Sequence, residues 1–223
     1  MNFLHTKYAS SPEYPRVAPF AVFVVLTAAQ GMFGPSSTYW VYALKTIVVA
    51  WMVWEARSFV PEMRWRFSWE AVLVGVVIFG VWVGLDEYYP RLGKLGEPWN
   101  PHEQYGQNSG AAWFFALARI AGSSIVVPPV EEVFYRSFLY RYFVKIDFRA
   151  MPLGQFHPLS FAVTSILFGL MHPDRWVAGI LCGLGYQWLV VRNDRLGDAM
   201  TAHGITNLLL GLWVVWHGAW GFW

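Results

Sequence analysis

Three stretches of this sequence place ionisable or amide side chains inside apolar surroundings, where an unpartnered charge costs roughly 2.5–3.5 kcal/mol at a membrane helix centre. The first reads Pro128-Pro129-Val130-Glu131-Glu132-Val133-Phe134-Tyr135-Arg136 and sets two carboxylates and a guanidinium close together. Proline is tolerated in the first turn of a helix, so the spacing predicts a helix beginning near Pro129 with both glutamates in its first turn, where the helix dipole favours negative charge. Glu132 and Arg136 stand at i and i+4, the separation at which a charge-assisted pair forms. Glu131 projects about 100° away from Glu132, with no local partner, as a general base for water must. A buried structural ion network joining several helices is an equally available use of the same three residues.

The second stretch runs Phe168-Gly169-Leu170-Met171-His172-Pro173, placing His172 on the last turn of an apolar helix, one turn beyond Phe168. The third carries His203 and Asn207, again at i and i+4, so both side chains project from one helix face. Imidazole and amide N–H groups suit the stabilisation of an oxyanion as well as the bridging of helices. Each stretch alone is more often structural. Together they supply a base, a second acid or base, and two donors, the set required to hydrolyse an amide.

The elements that must position these groups are apolar helices. Of 223 residues, 56% are hydrophobic and 13% charged, with a mean hydropathy of +0.37, whereas soluble domains carry about 25% charged residues. Fourteen Trp and eleven Tyr suit the aromatic belts of a bilayer protein. A span needs roughly 20 apolar residues, and on that measure the segments Val17–Phe33, Tyr39–Trp54, Trp69–Leu85, Gly110–Val127, Val130–Val144, Leu159–Met171, Trp176–Val191 and Ala199–Trp216 predict an all-α, polytopic transmembrane helical bundle of about eight spans. Period-two alternation is missing, which argues against an outer-membrane barrel. The chain reads as a single membrane domain over 1–223, with a catalytic motif core at 110–212 and an extramembrane loop at 86–110 that holds Pro90, Pro98 and Pro101.

Basic residues are scattered and the net charge is only +2, so nucleic acid is not an expected partner. The single cysteine, Cys182, permits neither an intramolecular disulfide nor a cysteine metal site. The polar start, Met1 to Arg16, lacks the features of a cleaved signal, so the first span is expected to be retained. Lys7 and Arg16, then Arg57, Arg64 and Arg66, put the amino end and the second connection in the cytoplasm; strict alternation through eight spans would then leave Arg141, Lys145 and Arg149 outside, against the positive-inside rule. Lys45 is expected to snorkel, and Arg119 to counter a glutamate or hold helices together. His157 and His217 read as loop and interfacial residues.

Glu131-Glu132 with Arg136, Phe168 with His172, and His203 with Asn207 resemble, in order and spacing, the EExxxR, FxxxH and HxxxN motifs of the CAAX prenyl endopeptidase and bacteriocin-processing (CPBP, Abi) family. The resemblance covers about Gly110 to Leu212. Its size and Trp content also suggest the CAAX-protease-related subgroup that accompanies exosortase systems. The resemblance implies an all-helical intramembrane endopeptidase in which Glu131 and His172 activate water, His203 and Asn207 hold the oxyanion, and Glu132, Arg136 and Phe168 support them. It implies a glutamate-dependent enzyme without a cofactor, although two Glu and two His are acceptable metal ligands and the HExxH signature is missing. Expected partners are membrane lipids and a peptide or protein substrate, lipidated or membrane-anchored ones included, and the expected location is the bacterial inner membrane. The alternative is a non-proteolytic peptide- or lipid-binding scaffold or immunity protein that keeps the polar constellation for binding.

Overall fold

A computed structural model describes residues 3–92, 97–107 and 109–223. Among these the regular elements are helical and no strand occurs. They are α1 (Phe3–Ser10), α2 (Tyr14–Ala28), α3 (Ser37–Ala56), α4 (Trp69–Gly84), a short α5 (Pro101–Tyr105), α6 (Gly110–Tyr142), α7 (Pro158–Leu170), α8 (Trp176–Asn193) and α9 (Gly197–His217). Local signals set several starts. Ser68 and Ser109 accept the N–H groups of Ala71 and Ala112, and His157 Nδ1 accepts that of Ser160 just ahead of Pro158.

α6 departs from the sequence-based expectation. The runs on either side of Pro128-Pro129 form one helix of 33 residues, about 50 Å long at 1.5 Å per residue. Two consecutive prolines cannot donate to the carbonyls one turn back, and the helix absorbs this by widening rather than breaking. Gly122–Val126 forms a π turn in which the Val127 N–H reaches the Gly122 carbonyl. A second π stretch covers Val133–Leu139. Glu131 and Glu132 therefore lie inside a continuous helix and not in a first turn, and the helix-dipole argument for their charge does not apply.

α9 runs through the middle of the bundle, against α4, α6 and α8. The core joins Val133 and Tyr135 of α6, Phe168 of α7, Cys182, Tyr186 and Leu189 of α8, and Ala199, Met200 and Ala202 of α9. Gly75 lets α4 approach α9 closely: a Cβ there would stand 2.7 Å from the Ala202 carbonyl oxygen. The outer surface is the reverse of a soluble protein's. Leu44, Ile47, Trp51 and Trp54 form an exposed stripe along α3, and Leu73, Val76 and Val77 are exposed on α4. α6 and α9 are long and apolar enough to cross a bilayer, and α2, α4 and α7 are shorter apolar helices. The chain is an integral membrane protein.

Two ionic clusters sit at opposite ends of the bundle. At one, the Glu62 carboxylate receives Arg16 at 2.7 Å, Arg141 at 3.0 Å and the Ser137 hydroxyl, tying the start of α2, the α3–α4 connection and the end of α6 together. Burial pushes the Glu62 carboxyl up, but the Arg16 charge and the Ser137 hydrogen bond outweigh it and hold the group below its ordinary value. At the other, Arg175 pairs with Asp86 at 2.8 Å and with Asp174 at 2.6 Å. Of the expected 86–110 loop, Gly93–Gly96 and Asn108 lie outside the described residues. Its remainder is anchored on α3, where Tyr39 donates to the Asn100 carbonyl at 2.9 Å and Trp99 packs against Tyr39 and Tyr42.

Candidate active site

The π turn in α6 explains why the third motif needs an amide. Pro128 has no N–H, and the Val127 N–H is committed to Gly122, so the Ser123 carbonyl is left without its helical donor. Asn207 Nδ2 donates to it at 2.8 Å. The crossing is close because of Gly204, where a Cβ would lie 2.8 Å from the Ser124 carbonyl oxygen. The proline pair, the glycine and the asparagine together lock α9 onto α6 beside the two glutamates. Asn207 keeps one N–H beyond the bond to Ser123, and its side chain lines a cavity.

Glu132 is fully buried and engages two partners. Its Oε2 lies 3.1 Å from Arg136 Nε, and its Oε1 accepts from His203 Nδ1 at 2.9 Å. Arg136 sits over the Phe168 ring at 4.4 Å, and its Nη2 donates to the Gly183 carbonyl at 3.5 Å. The His203 ring stacks on Tyr186 with centroids 5.1 Å apart, and the Tyr186 hydroxyl meets Thr206 Oγ1 at 2.8 Å. With Nδ1 fixed by Glu132, the Nε2 edge of His203 is the edge left for chemistry. That atom faces Glu131 Oε2 at 4.0 Å, too far for a direct hydrogen bond. Glu131 Oε2 is buried with no hydrogen-bond partner in the protein.

His172 lies just past the end of α7, where its Nδ1 hydrogen-bonds the Phe168 carbonyl at 3.0 Å. Trp82 meets the ring edge-on at 5.3 Å, and Phe168 lies at the same centroid distance. A donated Nδ1–H fixes the tautomer that leaves Nε2 as an acceptor. Phe168 is thus used twice, as a carbonyl that sets the His172 ring and as a ring beneath Arg136.

Glu131, Phe168, His172, His203 and Asn207 all line one cavity of about 80 Å³, larger than the roughly 10–15 Å³ one water needs. Glu132 and Arg136 lie behind this lining. Glu131, His172, Asn207 and Trp82 also line an adjoining cavity of about 520 Å³, whose walls include Phe20, Phe23 and Leu210. Sequence reasoning missed Tyr186, Thr206, Trp82 and the Ser123 carbonyl. Tyr186, inside an apolar run, is the one of these that carried a readable signal. Lys45 does not snorkel: only 2% exposed, it turns inward to line the larger cavity. Arg119 lines the same cavity and, of the two uses the sequence offered, pairs with no carboxylate among the described residues but packs against rings of other elements, Tyr42, Trp99 and Trp223. Among the described residues no three His, Cys, Asp or Glu side chains gather as a metal-ligand group.

The arrangement offers a free carboxylate oxygen, two imidazole edges and an amide N–H around a small polar chamber. That chamber shares Glu131, His172, Asn207 and Trp82 with the larger cavity of the membrane bundle. Residues 108–209 match the family model described as type II CAAX prenyl endopeptidase Rce1-like. No curated protein and no solved structure gives a match to the chain. The three motifs lie in order within this matched segment, which makes up just under half of the chain and is similar to CAAX prenyl endopeptidases.

Proposed function

We propose that the protein hydrolyses peptide bonds inside the bilayer with Glu131 as the general base. The observation that carries this reading is the shared chamber, in which the unpartnered Glu131 Oε2 faces the same volume as His172, His203 and Asn207. A water between Glu131 and the His172 Nε2 lone pair is oriented by the imidazole and gives its proton to the carboxylate. Its oxygen then attacks the substrate carbonyl. The amide N–H that Asn207 does not spend on Ser123 and the Nε2 edge of His203 face the developing oxyanion. Collapse breaks the C–N bond, and the proton held by Glu131 passes to the departing amine.

With its Nδ1 held by Glu132, His203 donates to the oxyanion through Nε2 in its imidazolium form.

The continuous α6 also changes the topology. With α2, α3, α4, α6, α7, α8 and α9 as seven crossings and a cytoplasmic amino end, Arg57, Arg64, Arg66, Arg141, Lys145, Arg149, Arg192 and Arg195 all fall on the cytoplasmic side, as the positive-inside rule requires. The Glu62 cluster marks that side. The large cavity is lined by Thr27 and Gln30 near the end of α2 and by Phe222 beyond α9, so in a bacterial inner membrane it faces the periplasmic half. Its apolar walls suit membrane-anchored or lipidated peptides.

The test compares, by mass spectrometry, the peptides released from membranes carrying wild type with those from membranes carrying Glu131→Gln. Peptides released by wild type alone are expected. Identical peptide sets from the two proteins would end the proteolytic reading.

A further inference from the structure

Each buried arginine among the described residues has a carboxylate: Arg16 and Arg141 share Glu62, Arg136 has Glu132, and Arg175 has Asp86. Lys45 is equally buried and makes no direct ion pair with a carboxylate side chain among the described residues. Its Nζ donates to two neutral acceptors, Thr27 Oγ1 at 2.9 Å and Gln30 Oε1 at 3.0 Å, and an ammonium carries three donors. Arg119 is held by rings alone, with its Cζ 4.6 Å from the Trp99 centroid, 5.0 Å from Tyr42 and 5.3 Å from Trp223. Stacking occupies the faces of a guanidinium and leaves its N–H edge free to bind an anion. The two cations meet at Tyr42, whose ring centroid is 4.5 Å from Lys45 Nζ. Both line the 520 Å³ cavity, where Glu131 is the one carboxylate side chain among the described lining residues. With Lys45 and Arg119 protonated, the side chains around that cavity carry more positive than negative charge, in a medium where such a surplus is costly.

We propose that Lys45 and Arg119 form an anion-binding subsite of this cavity that takes a carboxylate of the substrate peptide. The proposal rests on the reading that a peptide enters the cavity, and it assigns a recognition role to two residues outside the three motifs. Arg119 and Glu131, twelve positions apart on α6, line the same 520 Å³ cavity, so one bound peptide can reach both. A carboxylate seated at the pair would therefore fix how far from the chain end or acidic side chain the scissile bond lies.

The experiment measures binding, not turnover, in detergent-solubilised Glu131→Gln protein, so that loss of the proposed catalytic base does not affect the readout. Fluorescence anisotropy follows dansyl-Leu-Leu-Phe as the free acid, as the carboxamide, and as the carboxamide of dansyl-Leu-Glu-Phe. The acid is expected to bind about 10- to 100-fold tighter than its amide, the range for hydrogen bonds to a charged group. Lys45→Met and Arg119→Gln should each reduce that ratio toward one, and Lys45→Arg should retain most of it, which separates lost charge from misfolding. Tight binding of the glutamate-containing amide, equally sensitive to the two substitutions, would place the carboxylate on a side chain and still support the subsite. Equal affinity for all three peptides, or a preference that survives both substitutions, would overturn it. So would displacement of the acid by phosphatidylglycerol but not by phosphatidylcholine in mixed micelles, since the pair would then serve a lipid headgroup.

Discussion

Adjacent, isosteric substitutions at Glu131 and Glu132 should have opposite consequences. Glu132→Gln keeps the shape but turns an acceptor facing Arg136 Nε into an amide N–H and removes the charge that pairs with it at 3.1 Å. Arg136 is 2% exposed and Glu132 is completely buried, so a guanidinium is left in the core without a counter-charge. Removing one partner of such a pair typically costs about 3–5 kcal/mol, or roughly 6–20 °C in melting temperature for a chain of this size. Glu131→Gln meets none of these penalties, because its Oε2 accepts no hydrogen bond and its recorded ionic neighbour is His203 at 4.0 Å. It should leave the melting temperature unchanged or slightly raised while activity falls about 100- to 10,000-fold, the contribution of a general base. Thermal unfolding in detergent, followed by tryptophan fluorescence, gives the first quantity, and peptide release from membranes gives the second. Equal destabilisation by the two substitutions would refute the division of roles, as would near-wild-type cleavage by Glu131→Gln.

Three further outcomes are expected. Asn207→Ala should slow cleavage about 100- to 1,000-fold through loss of an oxyanion donor and should also lower stability by about 1–3 kcal/mol, because the Ser123 carbonyl loses its donor; a stability unchanged from wild type would count against the α6–α9 tie. Gly204→Ala should destabilise by about 1–3 kcal/mol and reduce cleavage, since its Cβ would press on the Ser124 carbonyl oxygen at 2.8 Å; a fully active, equally stable variant would show the crossing to be looser than described. Glu62 is held below its ordinary value of 4.5, so the unfolded chain takes up its proton first as pH falls. Its contribution to stability is complete above about pH 4.5 and is lost as the pH drops through the folded value. Glu62→Gln should remove that part of the acid sensitivity, and a melting-temperature profile across roughly pH 6 to pH 3 that matches wild type would show the cluster to be unimportant.

The sequence by itself determined the kind of molecule and singled out most of the side chains that meet at the chamber. Apolar runs of span length report a bilayer whatever their tertiary arrangement. The i, i+4 spacings of Glu132 with Arg136 and of His203 with Asn207 follow from helix geometry alone, and the Glu132–Arg136 pair forms as that spacing predicts. Local pattern fails where the deciding contact is remote in sequence. Pro128-Pro129 reads as a helix start because the alternative, a π turn whose orphaned carbonyl is taken by Asn207, needs a partner 84 positions away. Which nitrogen of His203 is free depends on Glu132, 71 positions away. Lys45 reads as a snorkelling residue because a helix written alone has lipid and water around it, and only the packing of α2, α3 and α6 gives its ammonium a cavity to face. Composition and periodicity are properties of a segment, whereas tautomers, orphaned acceptors and unpaired charges belong to the set of neighbours that folding assembles.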